Sequence, residues 1–265
     1  MSNRAYRFET GAVSDPGLVR DVNEDNWFVD EANGIWLVAD GMGGHANGKL
    51  ASGKIVECAR TVGVAVSAPD LLARFNDRML RANDELLDIS RADNAVLGST
   101  LVAVLVFGSH FACMWAGDSR AYLVRDGKMH QISHDHTEVQ ELLDKKIIDA
   151  EQAKLWPRRN VITRAIGVFG DLVLDTIHGQ VREGDKFLLC SDGLTGHVAD
   201  SEIHETVLHH GPLDACRHLV ALTLERGAKD NVTVIVAQCQ PLERASVTGA
   251  GLGDAGVTDS SEGMF

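Results

Sequence analysis

No Cys-x-x-Cys pair occurs in this chain, no apolar run is longer than residues 101–107, and basic side chains are in the minority, 25 Lys and Arg against 38 Asp and Glu. Each shortage excludes something. Cys58, Cys113, Cys190, Cys216 and Cys239 are odd in number, widely scattered and mostly set in apolar segments. They therefore read as reduced core residues of a cytoplasmic protein, not as a disulfide framework. The run 101–107 is too short to span a bilayer, and Met1-Ser2-Asn3-Arg4 leads into no apolar stretch, so neither an anchor nor a signal peptide is expected. A formal charge of -13 repels nucleic-acid phosphates and anionic membrane surfaces. The same balance suits a protein that gathers cations, and it equally serves plain solubility.

What is present is enough apolar material for a globule. With 265 residues, 45% of them hydrophobic, the chain can form one large core or two small ones, and neither disorder nor a fibre fits. Its most telling stretch is Ile35-Trp36-Leu37-Val38-Ala39-Asp40-Gly41-Met42-Gly43-Gly44-His45, an apolar strand that ends in a carboxylate and a glycine-rich turn. Aspartate is a poor strand former and is costly to bury unless paired or bound to a cation. Asp40 is thus either ordinary turn chemistry or a metal ligand, with the flexible Gly41 able to offer its carbonyl beside it.

Periodicity supplies the rest of the frame. Strands are expected at 6–13, 26–29, 101–107, 111–116, 121–125, 129–133, 174–180, 186–191 and 232–238, besides the Asp40 strand. Helices are expected at 48–66, at 70–92 with Leu72, Phe75, Met79 and Leu86 on one face, at 200–209 and at 213–225. Residues 137–155 turn helical and charged, an excursion ended by Trp156-Pro157. Short gaps around 101–133 make an antiparallel meander, and strands and helices come in runs. That order predicts an α+β fold, mainly antiparallel sheets packed as a sandwich and flanked by helix pairs. From about Pro241 to Phe265 the composition predicts a disordered tail.

The Asp40 pattern recurs. Asp118 follows the apolar segment 111–116, Asp192 closes Leu188-Leu189-Cys190-Ser191, Asp230 precedes the last strand, and Glu24 and Asp25 form a further acidic turn. Any one of these is ordinary turn chemistry. Together, carboxylates at several sheet corners can meet at one end of a sandwich, where their repulsion needs neutralising cations. Oxygen ligands without His or Cys favour Mg²⁺ or Mn²⁺. Arg20, beside the acidic turn, suits two oxygens of a phosphate.

At this point the sequence resembles the metal-dependent protein phosphatases of the PPM (type 2C) group, in particular the stand-alone bacterial members. The resemblance runs through Arg20, Asn23-Glu24-Asp25, Asp40-Gly41-Met42-Gly43-Gly44, Gly98-Ser99-Thr100, Gly117-Asp118-Ser119-Arg120, the segment 160–167, Ser191-Asp192-Gly193 and Asp230-Asn231, in order and at family-like spacing. It implies a four-layer αββα sandwich over residues 1–240, and a centre of two Mn²⁺ or Mg²⁺ ions with a possible third, weaker one. Asp40 would bridge the two ions. The Gly41 carbonyl would bind the second, with Glu24 and Asp25 acting on it directly or through water, while Asp192 and Asp230 would hold the first and Asp118, with Asp192, the third. Arg20 would bind the substrate phosphate, and residues 137–160 would form a flap beside the cleft. A metal-bridging hydroxide would attack phosphorus in line, with no covalent intermediate.

The implied substrates are phosphoserine and phosphothreonine proteins, with a cognate Ser/Thr kinase and a phosphothreonine-binding scaffold as pathway partners. A cytoplasmic monomer that binds neither nucleic acid nor membrane is expected. Two departures stand out. Met42 occupies the place of a histidine proposed as general acid in animal members, so leaving-group protonation falls to a metal-bound water, and His45 reads as a helix-entry residue. Trp156 stands where many bacterial relatives have histidine before proline.

Rival readings fare worse. A cysteine phosphatase needs Arg six positions after Cys, and after Cys113 that place is Ser119. His134-Asp135-His136 lacks the partners of a zinc hydrolase and reads as a solvated loop. A pseudophosphatase, the same fold used as a phosphoprotein-binding module, would be signalled by a missing metal carboxylate, and Asp40, Asp192 and Asp230 are all in place.

Overall fold

A computed structural model describes residues 6–43 and 46–242. The expected role of His45 and nearly all of the predicted tail, from residue 243 onward, lie outside the described residues.

Two antiparallel sheets make the frame. One has the order β1 (Tyr6–Asp15), β11 (Val232–Pro241), β10 (Lys186–Cys190), β7 (Arg120–Arg125), β8 (Lys128–Gln131). The other runs β2 (Asp25–Asp30), β3 (Ile35–Met42), β5 (Leu101–Phe107), β6 (His110–Ala116), β9 (Asp175–Gln180), with the short β4 (Gly98–Ser99) on the end of β3. The inner faces meet through Trp36, Val38, Val102 and Val104 from one sheet and Leu123, Phe187, Leu189 and Ile235 from the other. Trp36 is fully buried there and its indole N–H donates to Thr10 Oγ1 at 3.0 Å, so its polar atom keeps a partner in the core.

Both outer faces are covered by helices, which is why the central strands read as continuous apolar runs instead of alternating ones. On one side α1 (Ala46–Ala59) and α2 (Ala68–Asp93) pack Ile55, Leu71, Phe75, Met79 and Leu86 onto Leu37, Leu101 and Ala103. On the other, α6 (Asp200–His209) and α7 (Pro212–Glu225) bring Ile203, Val207, Cys216 and Leu219 against Leu188, Val234 and Val236. The predicted αββα sandwich is the observed architecture. In α2, Ser67 caps the N-terminus by accepting from Asp70 N at 3.2 Å, and Asn94 ends the helix in the left-handed conformation at φ 48°. Burying Phe75 alone contributes about 2–3 kcal/mol.

Several boundaries differ from expectation. Helix α1 stops at Ala59, because Thr61 Oγ1 donates to Cys58 O at 2.7 Å and the chain turns away through Gly63 at φ +70°. Val62 is still buried, while Val66, expected on the same helix, is 81% exposed. On α2 it is Leu71, not Leu72, that is fully buried. The excursion after residue 137 is two short helices, α3 (Glu138–Asp144) and α4 (Ala150–Lys154). A short helix α5 (Asp192–Thr195) was not expected. Strand β11 continues to Pro241, opposite Tyr6, three residues beyond the expected end at 238.

Candidate metal centre

The site arises where the inter-sheet core runs out. Side chains of one parity on each central strand point inward, and following that parity to one end of the sandwich replaces each apolar residue by a polar one. Trp36 and Val38 lead to Asp40, Val102 to Thr100, Ala121 to Ser119, Leu189 to Ser191 and Ile235 to Thr233. Asp25 pairs with Asp40 across β2 and β3, so the two carboxylates share that face.

Hydrogen bonds tie this polar rim together. Asp40 N donates to Thr100 Oγ1 at 3.1 Å, and Thr100 Oγ1 meets Ser119 Oγ at 2.7 Å. The hydroxyls of Ser191 and Thr233 both donate to Asp25 Oδ2 at 2.7 Å. Arg20 donates from Nη2 to Asp230 Oδ2 at 2.9 Å, its side chain half exposed at the lip. That contact raises the guanidinium further above its ordinary value.

The carboxylates hold one another in check. Burial first, then the charges of Asp25, Asp192, Asp118 and Asp230, push Asp40 well above the usual carboxylate range. Asp192 is raised by burial and by Asp230, with a hydrogen bond to Asp40 opposing the shift. Asp25 is pushed up to about 7 by burial, against its two hydroxyl bonds and with Asp192 adding to the rise. Asp118 also rises to about 7, through burial and the charge of Asp192. A cluster in which burial and neighbouring charges raise Asp25, Asp40, Asp118 and Asp192 together is unstable in its anionic form unless cations enter.

Three buried side-chain oxygens among the described residues lack any hydrogen-bond partner: Glu24 Oε1, Asp25 Oδ1 and Asp118 Oδ1. All three belong to this cluster. A methyl group added at Gly48 would lie 2.7 Å from Gly41 O and 2.8 Å from Glu24 Oε1, so that carbonyl and that carboxylate oxygen converge on one small space. Asp25 is engaged instead by Ser191 and Thr233, on the Asp192 side. No three His, Cys, Asp or Glu side chains among the described residues enclose an ion unaided. Hard ions such as Mg²⁺ take one or two carboxylates each and complete their shell with carbonyls and water, so the oxygen donors here fit such ions.

All eight predicted site residues, Arg20, Glu24, Asp25, Asp40, Gly41, Asp118, Asp192 and Asp230, gather at this rim. Sequence reasoning gave no role to the residues that hold them. Asn231 is buried; its Oδ1 accepts from Glu24 N at 2.8 Å and its Nδ2 donates to Pro16 O at 2.9 Å and Val22 O at 3.0 Å. His136 corrects the solvated-loop reading. It is buried, accepts on Nδ1 from Gly117 N at 3.2 Å and meets Asp175 Oδ2 at 3.2 Å, while burial holds its pKa below the ordinary histidine value. The bond to Gly117 steadies the turn that carries Asp118. Asp135 is likewise taken, by a two-pronged contact from Arg120. Of the three, only His134 is exposed, with Nε2 against Asp144 at 2.7 Å.

A double antiparallel sandwich flanked by helix pairs, with a mouth rimmed by carboxylates, defines an αββα class of protein whose oxygen donors suit hard divalent ions. The chain belongs to the protein phosphatase 2C family, whose sequence profile matches residues 19–221. It is 37% identical over 250 residues to the serine/threonine protein phosphatase PstP of Mycobacterium tuberculosis; the match takes in 90% of this chain but 48% of that protein, so the chain spans about half of that relative's length. The structure of PppA, a key regulatory component of the T6SS in Pseudomonas aeruginosa, superposes with a TM-score of 0.81 at 39% identity, covering 88% of this chain and 98% of that one. The catalytic domain of PstP in complex with two manganese ions superposes with a TM-score of 0.80 at 34% identity, covering 89% of this chain and 99% of that one.

Proposed function

We propose that this protein hydrolyses phosphoserine and phosphothreonine in proteins at a centre of two Mn²⁺ or Mg²⁺ ions. The observation that carries the reading is the set of three unpartnered buried carboxylate oxygens, on Glu24, Asp25 and Asp118, in a cluster whose acids raise one another's pKa. The manganese-bound PstP catalytic domain, a relative of the same fold, supports it. Asp40 would be shared between the ions, with Gly41 O and Glu24 on one side and Asp192 and Asp230 on the other. Asp25 would act from the Asp192 side, and Asp118 with Asp192 would take a third, weaker ion. When bound, such ions supply a water acidic enough to be a nucleophile near neutral pH and polarise the phosphoryl oxygens.

The chain's own residues do the remainder. Arg20 sits at the lip with its guanidinium half exposed, suited to grip two phosphoryl oxygens and to offset the charge that spreads over them in the transition state. No thiol competes as nucleophile, because all five cysteines are buried and unpaired, with Cys190, Cys216 and Cys239 pushed up to about 12 chiefly by burial. Met42 has no proton to give and packs beside Gly98, so it is not the general acid. With the ligating carboxylates all present, the enzyme reading is preferred to a phosphoprotein-binding module.

The test is hydrolysis of a chromogenic phosphate ester with Mn²⁺, before and after chelation. Activity should vanish with chelator, return with Mn²⁺, and fall at least 100-fold in Asp40→Asn, on the order expected when a group that orders the reacting centre is lost. Chelator-resistant turnover, or an Asp40→Asn protein as active as the parent, would falsify the assignment. In the cell the protein would act as a cytoplasmic monomer opposing a Ser/Thr kinase, alongside a phosphothreonine-binding scaffold. Phosphoproteomes with and without the gene should then differ at Ser and Thr sites.

A further inference from the structure

The loop between β1 and the acidic turn carries an apolar surface that the chemistry above does not use. Leu18 and Val19 are each 65% exposed and Val22 is 39% exposed, three large apolar side chains within five residues, and Arg20 lies among them. Single exposed apolar residues are ordinary, but three within five residues of one pinned loop ask for an occupant.

This loop is not loose. Asn231 Nδ2 holds Pro16 O and Val22 O, at its two ends, and Leu18 N donates to Ala228 O at 2.9 Å. Gly17 N donates to Asp15 Oδ1 at 2.8 Å. At φ +79° Gly17 also lies so close to the Asp230 segment that an added Cβ would fall 2.4 Å from Asp230 O. The backbone is therefore pinned to the strand lead that carries Asp230, while the apolar side chains face solvent. Ordering them in advance removes an entropic cost that a partner would otherwise meet on binding.

The occupant follows from what Arg20 binds. If the phosphate of a substrate protein sits on Arg20, as the proposed function holds, the peptide next to the phosphoresidue is brought up to this loop. Leu18, Val19 and Val22 all lie within two residues of Arg20, and an extended peptide advances about 3.3 Å per residue, so side chains one or two positions from the phosphoresidue come within reach of them. We propose that Leu18, Val19 and Val22 form an apolar ledge selecting phosphopeptides with a large aliphatic or aromatic residue within two positions of the phosphoserine or phosphothreonine. The net charge of -13 works in the same direction, because it disfavours acidic flanks.

The experiment compares kcat/KM of the Mn²⁺-loaded protein on phosphothreonine peptides identical except at the two flanking positions on each side, filled with Leu or with Ser, and on p-nitrophenyl phosphate. The parent should prefer the Leu peptide by about five-fold or more, the low end of what apolar contacts contribute to discrimination because the ledge is open to solvent. L18S/V19S, a double change at exposed side chains, should lose that preference through KM while turning over p-nitrophenyl phosphate as the parent does. Equal kcat/KM on the two peptides, or a preference that survives in L18S/V19S, overturns the ledge and leaves the phosphatase reading standing. Failure of the parent to hydrolyse even p-nitrophenyl phosphate overturns both.

Discussion

At the scale of single residues, Asn231 holds the site together without touching a reacting atom. One buried amide accepts from Glu24 N and donates to the carbonyls of Pro16 and Val22, fixing both the acidic turn and the loop that presents Arg20. Asn231→Ala strands these backbone groups, and denaturant titration should show a loss of about 2–4 kcal/mol. Two glycines make a sharper pair. A Cβ at Gly41 would lie 2.0 Å from Gly48 O, a backbone atom that cannot yield, so Gly41→Ala should prevent folding or abolish metal binding. At Gly53, inside α1, the nearest atom to such a Cβ is 4.0 Å away, and Gly53→Ala should raise stability by about 0.5–1 kcal/mol in the same assay. The carboxylates were legible in the sequence because an aspartate on the end of an apolar strand is locally costly. Asn231 and His136 were not, because their partners lie up to 215 residues away for Asn231 and include Asp175, 39 residues on, for His136. No local pattern records such a contact.

At the scale of elements, the segment after residue 137 shows how an excursion is fastened to a rigid frame. It is clasped where Thr137 bridges to Ile162, where Glu138 N donates to Val161 O at 2.9 Å and where Thr163 N donates to His136 O at 2.8 Å. Between these points α3 and α4 bury no side chain completely. Glu138 joins the two ends, taking Trp156 Nε1 at 3.3 Å and Arg158 at 2.9 Å, so Trp156 has a contact of its own despite lacking a histidine's chemistry. Glu138→Ala should increase the rate of limited proteolysis between residues 144 and 160 several-fold while changing global stability by less than about 1 kcal/mol, since exposed ion pairs contribute little. An unchanged cleavage rate would refute Glu138 as the fastener. Strands β5 and helix α6 fell where periodicity put them, as strong patterns bounded by turns allow. Helix α1 was overextended because buried Val62 continues its apolar spacing after Thr61 has already turned the backbone. Helix α5 is too short to have a period, and its place depends on Gly193 fitting against Asn231 O, where an added Cβ would meet that oxygen at 1.9 Å.

For the whole molecule, the acidic cluster couples folding to protons and, on the proposed function, to cations. In the metal-free protein Asp25 and Asp118 sit near pH 7, whereas unfolded aspartates titrate near about 3.9. Between those values the folded chain keeps protons that the unfolded chain releases. Its stability from these groups therefore falls as pH rises from about 4 to 7, the sign for carboxyls whose folded pKa is raised. His136, lowered by burial, acts the other way, withdrawing stability as pH falls below the unfolded histidine value of about 6.5. It should act with or without metal, so it largely cancels when the two states are compared. Divalent ions bound as proposed would replace the protons of the acidic cluster, and their stabilising effect would grow with pH. Melting temperatures measured in excess MgCl₂ or MnCl₂ against excess EDTA should differ little near about pH 5 and increasingly toward about pH 8. Asp40→Asn, which keeps the shape but removes a charge shared by the cluster, should flatten that rise. A metal-induced shift that stays constant or shrinks with increasing pH would mean that the raised acids at the sandwich mouth are not where the ions bind.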